Sequence, residues 1–246
     1  MSEDLNDPLR FFDLRKRIQS KPSLNKYYLE IYKKYSDCLD RCPNEGAAIE
    51  LGSGAGFVKD VIPAMITSDV IHYDGVDQVI DGTKMPFAED SVRFIGMLNV
   101  FHHIPDVEAF LREAQRCLKP GGRLLILDQH PGIISSFIFK NFHHEPFNPK
   151  AKTWNFNSRG PVSDANGALA WIVFNRDVKI FREKFHLLSL VRYQPNTPFR
   201  YWLAGGLKSW SLLPSWAFSF ATVVDDMVVR ITPALGSFVD IEIKKF

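Results

Sequence analysis

Residues 49–60 read IELGSGAGFVKD. Three glycines, Gly52, Gly54 and Gly56, stand at alternate positions after a short apolar run, and an acid, Glu50, sits just before them. A strand that enters a glycine-rich turn lets a ligand approach bare backbone, as at the switch point of a doubly wound sheet. The spacing excludes two common ligands. A dinucleotide turn of the G-x-G-x-x-G type has its third glycine one place later, where Phe57 stands, and no Gly-Lys-Ser/Thr follows to make a P-loop. Glu50 argues the same way, because a carboxylate at the strand end repels a pyrophosphate and suits a cation. The stretch therefore asks for a nucleoside with a positively charged tail.

The rest of the chain supplies the sheet around this turn. Ala47–Leu51 reads as a short buried strand, Ile66–Asp69 and Val76–Ile80 as two more, Val92–Asn99 as a fourth and Arg123–Asp128 as a fifth. Asp106 opens a helix whose Val107, Phe110, Leu111, Ala114 and Leu118 share a face, and LKPGG (118–122) stops it. A helix is also expected from Phe57 to about Met65. Continuous apolar strands alternating with helices predict a mostly parallel α/β sheet, Rossmann-like and doubly wound, with helices on both faces. Phe238–Lys244 alternates as a terminal strand, antiparallel to the rest. Leu187–Tyr193 reads as a strand, Thr222–Ile231 as a helix and residues 141–170 as a long loop. Phe11, Leu14 and Ile18, then Leu24, Tyr27, Tyr28, Ile31 and Tyr35, recur at helical spacing and predict two N-terminal helices broken near Pro22.

With 246 residues, 46% hydrophobic, the chain is expected to form one domain. Residues 1–45 would be a helical extension, 46–130 a cofactor-binding half and 131–246 a substrate-side half. The net charge of +2 makes no case for nucleic acid. Three cysteines are too few for a disulfide scaffold and point to a reducing compartment. Cys38 and Cys42 lack a second ligand pair, and His143, His144 and Glu145 are not spaced as a ligand set, so no metal is expected. The N-terminus is polar and acidic, unlike a signal peptide, and the expected location is cytoplasmic, with or without membrane contact.

The glycine stretch resembles the E/D-x-G-x-G-x-G signature of class I S-adenosylmethionine-dependent methyltransferases. Asp69, in ITSDV, is similar to the acid ending that family's second strand; Asp74 and Asp77 are rivals for its place. Asp81, in DGTKMPF, resembles the D-x-x-x-L-P-F segment. NVFHHIPD (99–106) resembles the loop after strand four, and FLREAQRCLKPGGRLLILD the R-x-L-K-P-G-G-x-L helix, turn and strand. The resemblance runs from about 48 to 130. It implies S-adenosylmethionine as cofactor, with Asp69 on the ribose and Asp81 facing the adenine amino group. Glu50, Gly52, Ser53, Gly54, Gly56, Asp69, Asp81, Gly82 and Asn99 form the expected cofactor set. Several have a plainer reading: a tight turn for the glycines, a helix cap or solvated loop acid at Asp69, a turn former at Asp81, a strand end at Asn99.

Methyl transfer from a sulfonium needs positioning first and a base only when the acceptor must lose a proton. His103, just past the fourth strand, and His144, in FHHEPFN, are the candidate bases, although packed or capping histidines would read the same way. The acceptor is expected to be a small molecule, lipid or glycan. Trp202, Trp210 and Trp216, with Leu212, Leu213, Phe218 and Phe220, are core, an acceptor pocket or a membrane contact. The basic stretch at Arg15, Lys16, Arg17 and Lys21 would add attraction for anionic head groups. The other function class is a protein of methyltransferase fold that binds cofactor or a partner without catalysis.

Overall fold

The computed structural model describes residues 9–142, 145–158, 160 and 164–246. Two helices, α1 (Leu9–Ser20) and α2 (Pro22–Leu39), meet at Lys21, with Pro22 at the first position of α2, where its missing N–H costs nothing. Among the described residues, seven strands come next: β1 (Ala47–Leu51), β2 (Ile66–Asp69), β3 (Gln78–Val79), β4 (Val92–Leu98), β5 (Leu118–Gln129), β6 (Leu188–Asn196) and β7 (Phe238–Lys245). They form one sheet in the order β3-β2-β1-β4-β5-β7-β6. All are parallel except β7, which runs antiparallel to β5 and β6. The chain leaves β1 toward β2 and β3, then returns to β4 on the other side of β1. That reversal opens the crevice where such sheets bind ligands.

Alternation along the strands sends side chains to two separate cores. Ala48, Phe94, Leu125 and Leu127 face α2 and meet Ile31, Tyr32 and Tyr35. Ile49, Leu51, Ile95, Met97, Leu124 and Ile126 face the other way. There they meet Val107, Phe110, Leu111 and Ala114 of α3 (Val107–Cys117). Asp106 caps α3 by accepting the Ala109 N–H at 2.9 Å, as its position predicts. Arg116 of α3 donates to the carbonyls of Met85 and Phe87, and Glu113 accepts the Met85 N–H, so this helix also fixes the segment after Asp81.

The expected helix from Phe57 is absent. A single 3-10 turn, Val58–Asp60, takes its place. The Phe57 N–H donates to the Tyr32 hydroxyl at 2.9 Å, and Pro63 disfavours helix at Ile62. The glycine turn therefore does not lead into an α-helix. β5 starts five residues earlier than expected, because KPGG forms a bulge between the Val92–Leu118 and Phe94–Arg123 pairs. Residues 145–158 and 164–166 carry no regular element beyond an isolated bridge, Asp106 to Asn155, in line with the expected loop.

Four helical segments have no counterpart in the sequence reading: α4 (Ile133–Phe142), α5 (Leu169–Trp171) continuing into a wide turn at Ile172–Arg176, α6 (Val178–Lys184) and α7 (Arg200–Leu203). The last helix, α8 (Phe218–Ile231), starts four residues before the expected one. Among the described residues, no helix is long and apolar enough to cross a membrane.

Candidate functional site

The carboxyl ends of β1, β2, β4 and β5 bring Glu50, Asp69, Asn99 and Asp128 to one edge of the sheet. Glu50 is buried, and its Oε2 has no hydrogen-bond partner among the described residues. Burial pushes its carboxyl up to about 8, against the Ser53 hydrogen bond and with help from the nearby Asp69 charge. A buried, half-satisfied carboxylate is costly until a cation meets it.

The glycines shape the turn after β1. Gly52 adopts φ +66°, and a Cβ there would lie 2.3 Å from the Val100 side chain. At Gly56 a Cβ would meet both the Ser53 carbonyl and the Tyr32 hydroxyl at 2.7 Å. Ser53 ties the turn to β2: its N–H donates to the Ser68 carbonyl, and its Oγ accepts the Ser68 N–H. Gly54 is different. Its nearest neighbour would be the ring of Phe11, at 3.7 Å, so α1 lays an aromatic side chain over the turn. Phe11 rests on Tyr73 at 4.4 Å between ring centres, and Tyr73 donates to the Gly54 carbonyl.

The three rival acids separate cleanly. Asp69 ends β2, is buried, and accepts the N–H groups of Gly54 (3.0 Å) and Ile71 (3.2 Å). Burial raises its carboxyl, partly offset by those backbone bonds and by His103. Asp77 instead accepts from Thr67 N–H and hydroxyl and pairs with Lys59, so it braces β2 from outside. Asp74 is exposed. Asp81 is exposed too and accepts both the N–H and the hydroxyl of Thr83. Gly82 lies against Phe110 and Leu51. Asn99 takes the left-handed φ of +53°, and its Oδ1 is buried without a partner among the described residues. Strain together with an orphaned polar atom marks a functional position more often than a plain strand end.

A second group lies beyond β4 and β5. His102 is buried, its Nδ1 2.6 Å from Asp128 Oδ1 and its Nε2 3.2 Å from Glu145 Oε2. Burial alone would lower this imidazole; the Asp128 charge and hydrogen bond, then Glu145, outweigh it and lift His102 to about 10. His103, half-buried, has Nε2 3.4 Å from Glu145 Oε1 and Nδ1 3.2 Å from the Asp164 carbonyl. Burial would raise Glu145, but bonds from His102 and His103 hold it well below the ordinary range. Gln129 donates to Glu145 at 3.2 Å. The sequence points to His103. It groups Glu145 with its chain neighbours, whereas the fold gives that carboxylate to His102 and His103. Asp128 carries no mark of its own in the sequence, being the last residue of an apolar strand. His144 lies outside the described residues.

Residues 49–126 match the family model described as a methyltransferase domain. With the glycine turn, the acids and this strand order, that stretch is similar to the class I S-adenosylmethionine-dependent methyltransferases. It is 38% identical over 58 residues to a ubiquinone/menaquinone biosynthesis C-methyltransferase of Desulfotalea psychrophila, covering 23% of this chain and 24% of that one. It is 30% identical over 108 residues to an uncharacterized methyltransferase, YcgJ, of Bacillus subtilis, covering 36% and 43%. These matches thus span from a quarter to less than half of the relatives' length. Among solved structures, the chain is similar to a geranyl diphosphate C-methyltransferase from Streptomyces coelicolor, with TM-score 0.56, 15% identity and coverage of 100% and 90%. A methyltransferase from Thermotoga maritima, described as a possible histamine N-methyltransferase, gives 0.53 and 15%, covering 99% and 96%. At that identity the two structures bear on the fold.

Proposed function

We propose that this protein binds S-adenosylmethionine and transfers its methyl group to a small-molecule acceptor. The single observation that carries the reading is Glu50: a buried carboxylate with an oxygen that has no partner among the described residues, at the head of a glycine turn, on the switch-point edge of the sheet. The residues present suit the cofactor. Glu50 would take its cationic amino-acid end, Asp69 the ribose, and Asp81 with Gly82 the adenine side. Gly52, Ser53, Gly54 and Gly56 would keep the backbone close, and Asn99 would offer its unpartnered amide oxygen. When bound, the cofactor supplies a methyl group already activated by a sulfonium charge. The chain's own contribution is then to hold donor and acceptor in line, an effect worth ~7–11 kcal/mol at its largest. His103, with His102 and Glu145 behind it, serves the acceptor.

The test is a melting series. S-adenosylmethionine and S-adenosylhomocysteine should each raise the melting temperature, because they bind the folded state only, and NAD should not. A folded sample that shows no shift at millimolar ligand defeats the proposal. A sample that binds both ligands yet methylates nothing in a cell extract supplied with labelled donor favours the non-catalytic reading.

A second reading concerns the acceptor's source. Phe220, Val223, Met227 and Ile231 succeed one another at helical spacing along α8, Trp216 stands in the 3-10 turn just before it, and all are exposed, Trp216 at 85%. This stripe supports contact with a lipid surface or an apolar acceptor.

A further inference from the structure

The two histidines share an unusual arrangement. The Asp164 carbonyl can only accept a hydrogen bond, so His103 Nδ1, 3.2 Å away, carries a proton. Asp128 accepts at 2.6 Å from His102 Nδ1 in the same way. Each ring therefore turns its Nε2 toward one carboxylate, that of Glu145, at 3.2 and 3.4 Å. A neutral Nε2 facing a carboxylate oxygen is a lone pair against a lone pair. A proton relieves it at His102, where the Gln129 amide nitrogen also lies 3.4 Å from Nε2, and a metal ion would relieve it at both rings. Two protons would make two imidazoliums whose ring centres are 4.2 Å apart, where like charges repel. One divalent cation relieves both contacts at once.

The geometry suits that cation. One ring nitrogen each of His102 and His103 and a Glu145 oxygen lie within 4.8 Å of one another. Bonds of ~2.1 Å place neighbouring ligands ~3.0 Å apart in an octahedron and ~3.4 Å in a tetrahedron, which brackets the two contacts seen. The outer positions are filled as metal sites require. A carboxylate holds one ligand histidine, a backbone carbonyl the other, and the Gln129 amide donates to the ligand carboxylate. We propose that His102, His103 and Glu145 form a divalent-cation site of the two-histidine, one-carboxylate kind, which leaves open positions for an oxygen of the methyl acceptor. Reading the chain alone raises no such expectation, because Glu145 stands more than forty residues from the pair it joins.

The site lies at the carboxyl ends of β4 and β5, on the edge that carries Glu50 and Asn99. A cation there would bind a hydroxyl or enol oxygen of the acceptor and favour its deprotonated form, so the proton goes to solvent and His103 serves as a ligand instead of a base. The role in methylation rests on the proposed function; the metal site itself does not.

Cobalt(II) and manganese(II) separate the two. The metal-stripped full chain should bind a single equivalent of cobalt(II), read by its visible absorption, and manganese(II), read by loss of its free-ion electron paramagnetic resonance signal. His103→Ala and Glu145→Gln should abolish both signals, and Asp128→Asn should weaken binding ~10–100-fold. All three variants should keep the native circular dichroism and hold S-adenosylhomocysteine within about threefold of the parent, as groups outside the donor site should. Lack of binding by either metal up to millimolar, or unchanged binding in both His103→Ala and Glu145→Gln, overturns the inference. A parent that binds metal but no S-adenosylhomocysteine keeps the inference and defeats the function proposed above.

Discussion

Glu50 couples protons to ligand. Its folded-state value of about 8 lies above the ~4.5 of an exposed glutamate. Between those values the folded, ligand-free chain holds a proton that the unfolded chain has lost, so this group's contribution to stability falls as pH rises through that window. An ammonium or sulfonium prefers the ionised form. Ligand binding at pH 7 should therefore release a proton, and affinity should climb with pH and level off near 8. Titration calorimetry of S-adenosylhomocysteine in two buffers of different ionisation enthalpy reads the release directly. Glu50→Gln should bind weakly and release none. An unchanged proton count in Glu50→Gln would assign the effect elsewhere. The rival acids separate by a similar contrast. Asp69→Ala should weaken binding by roughly 1–3 kcal/mol, the value of charge-assisted hydrogen bonds to the ribose. Asp77→Ala should leave binding nearly intact and lower the melting temperature, since Asp77 holds Thr67 and Lys59. The reverse pattern would move the ribose site to Asp77.

At the scale of elements, the legible and the hidden parts of the fold have different physical origins. β1, β2, β4 and α3 are legible because each carries its own signal: a buried apolar run, or a helical stripe with a cap at Asp106. The missing helix after Phe57 is not, because the turn there is anchored to Tyr32, a residue of α2 twenty-five positions earlier. α2 itself is readable as an amphipathic helix, but nothing local says that its tyrosines cover β1, β4 and β5. The glycine turn and Asp69 are readable for the same reason as the strands, since both sit at strand ends. The His102–Glu145 contact is not, because it depends on how a loop folds back. α1 likewise takes its role from its placement. Phe11 covers Gly54, and the helix is tied down mainly by Arg15 to Asp60, by Arg17 to the Leu207 carbonyl and by Ile18. α1 should then act as a cover that opens when ligand enters. Phe11→Ala removes the ring contact with Tyr73, worth ~0.5–1.5 kcal/mol, and should speed both association and dissociation of S-adenosylhomocysteine about 2- to 12-fold in stopped-flow measurements. Unaltered rates would leave α1 as a fixed wall.

For the whole molecule, the question is how the outer surface meets its surroundings. The aromatic C-terminal segment divides. Leu213 and Phe218 are buried, and Trp202 donates to Ser237 and stacks on Phe238. Trp216, Phe220 and Leu212 face outward, with Ile133, Phe137 and Phe142 of α4 also exposed. The basic N-terminal stretch, expected to add attraction for anionic head groups, makes contacts of its own. Arg15 pairs with Asp60, and Arg17 and Lys21 donate to the carbonyls of Leu207, Gly206 and Lys208. Only Arg15 is neutralised there; Arg17 and Lys21 keep their charge on neutral carbonyls, and Lys16 is exposed. Attachment to vesicles through the apolar stripe, at about 25 cal/mol per Å², should survive added salt, whereas attachment through the basic helix should not. Trp216→Ser decides the matter, because an 85% exposed ring adds little to the fold. Its melting temperature should stay close to that of the parent, since the large losses known for buried side chains do not apply. Sedimentation with anionic and with neutral vesicles should fall in parallel for Trp216→Ser and Phe220→Ser. Pelleting that vanishes in salt and ignores both substitutions would return the contact to the basic helix. A parent that never pellets would leave the stripe to an apolar acceptor, and the same two variants should then lose turnover while still binding S-adenosylhomocysteine.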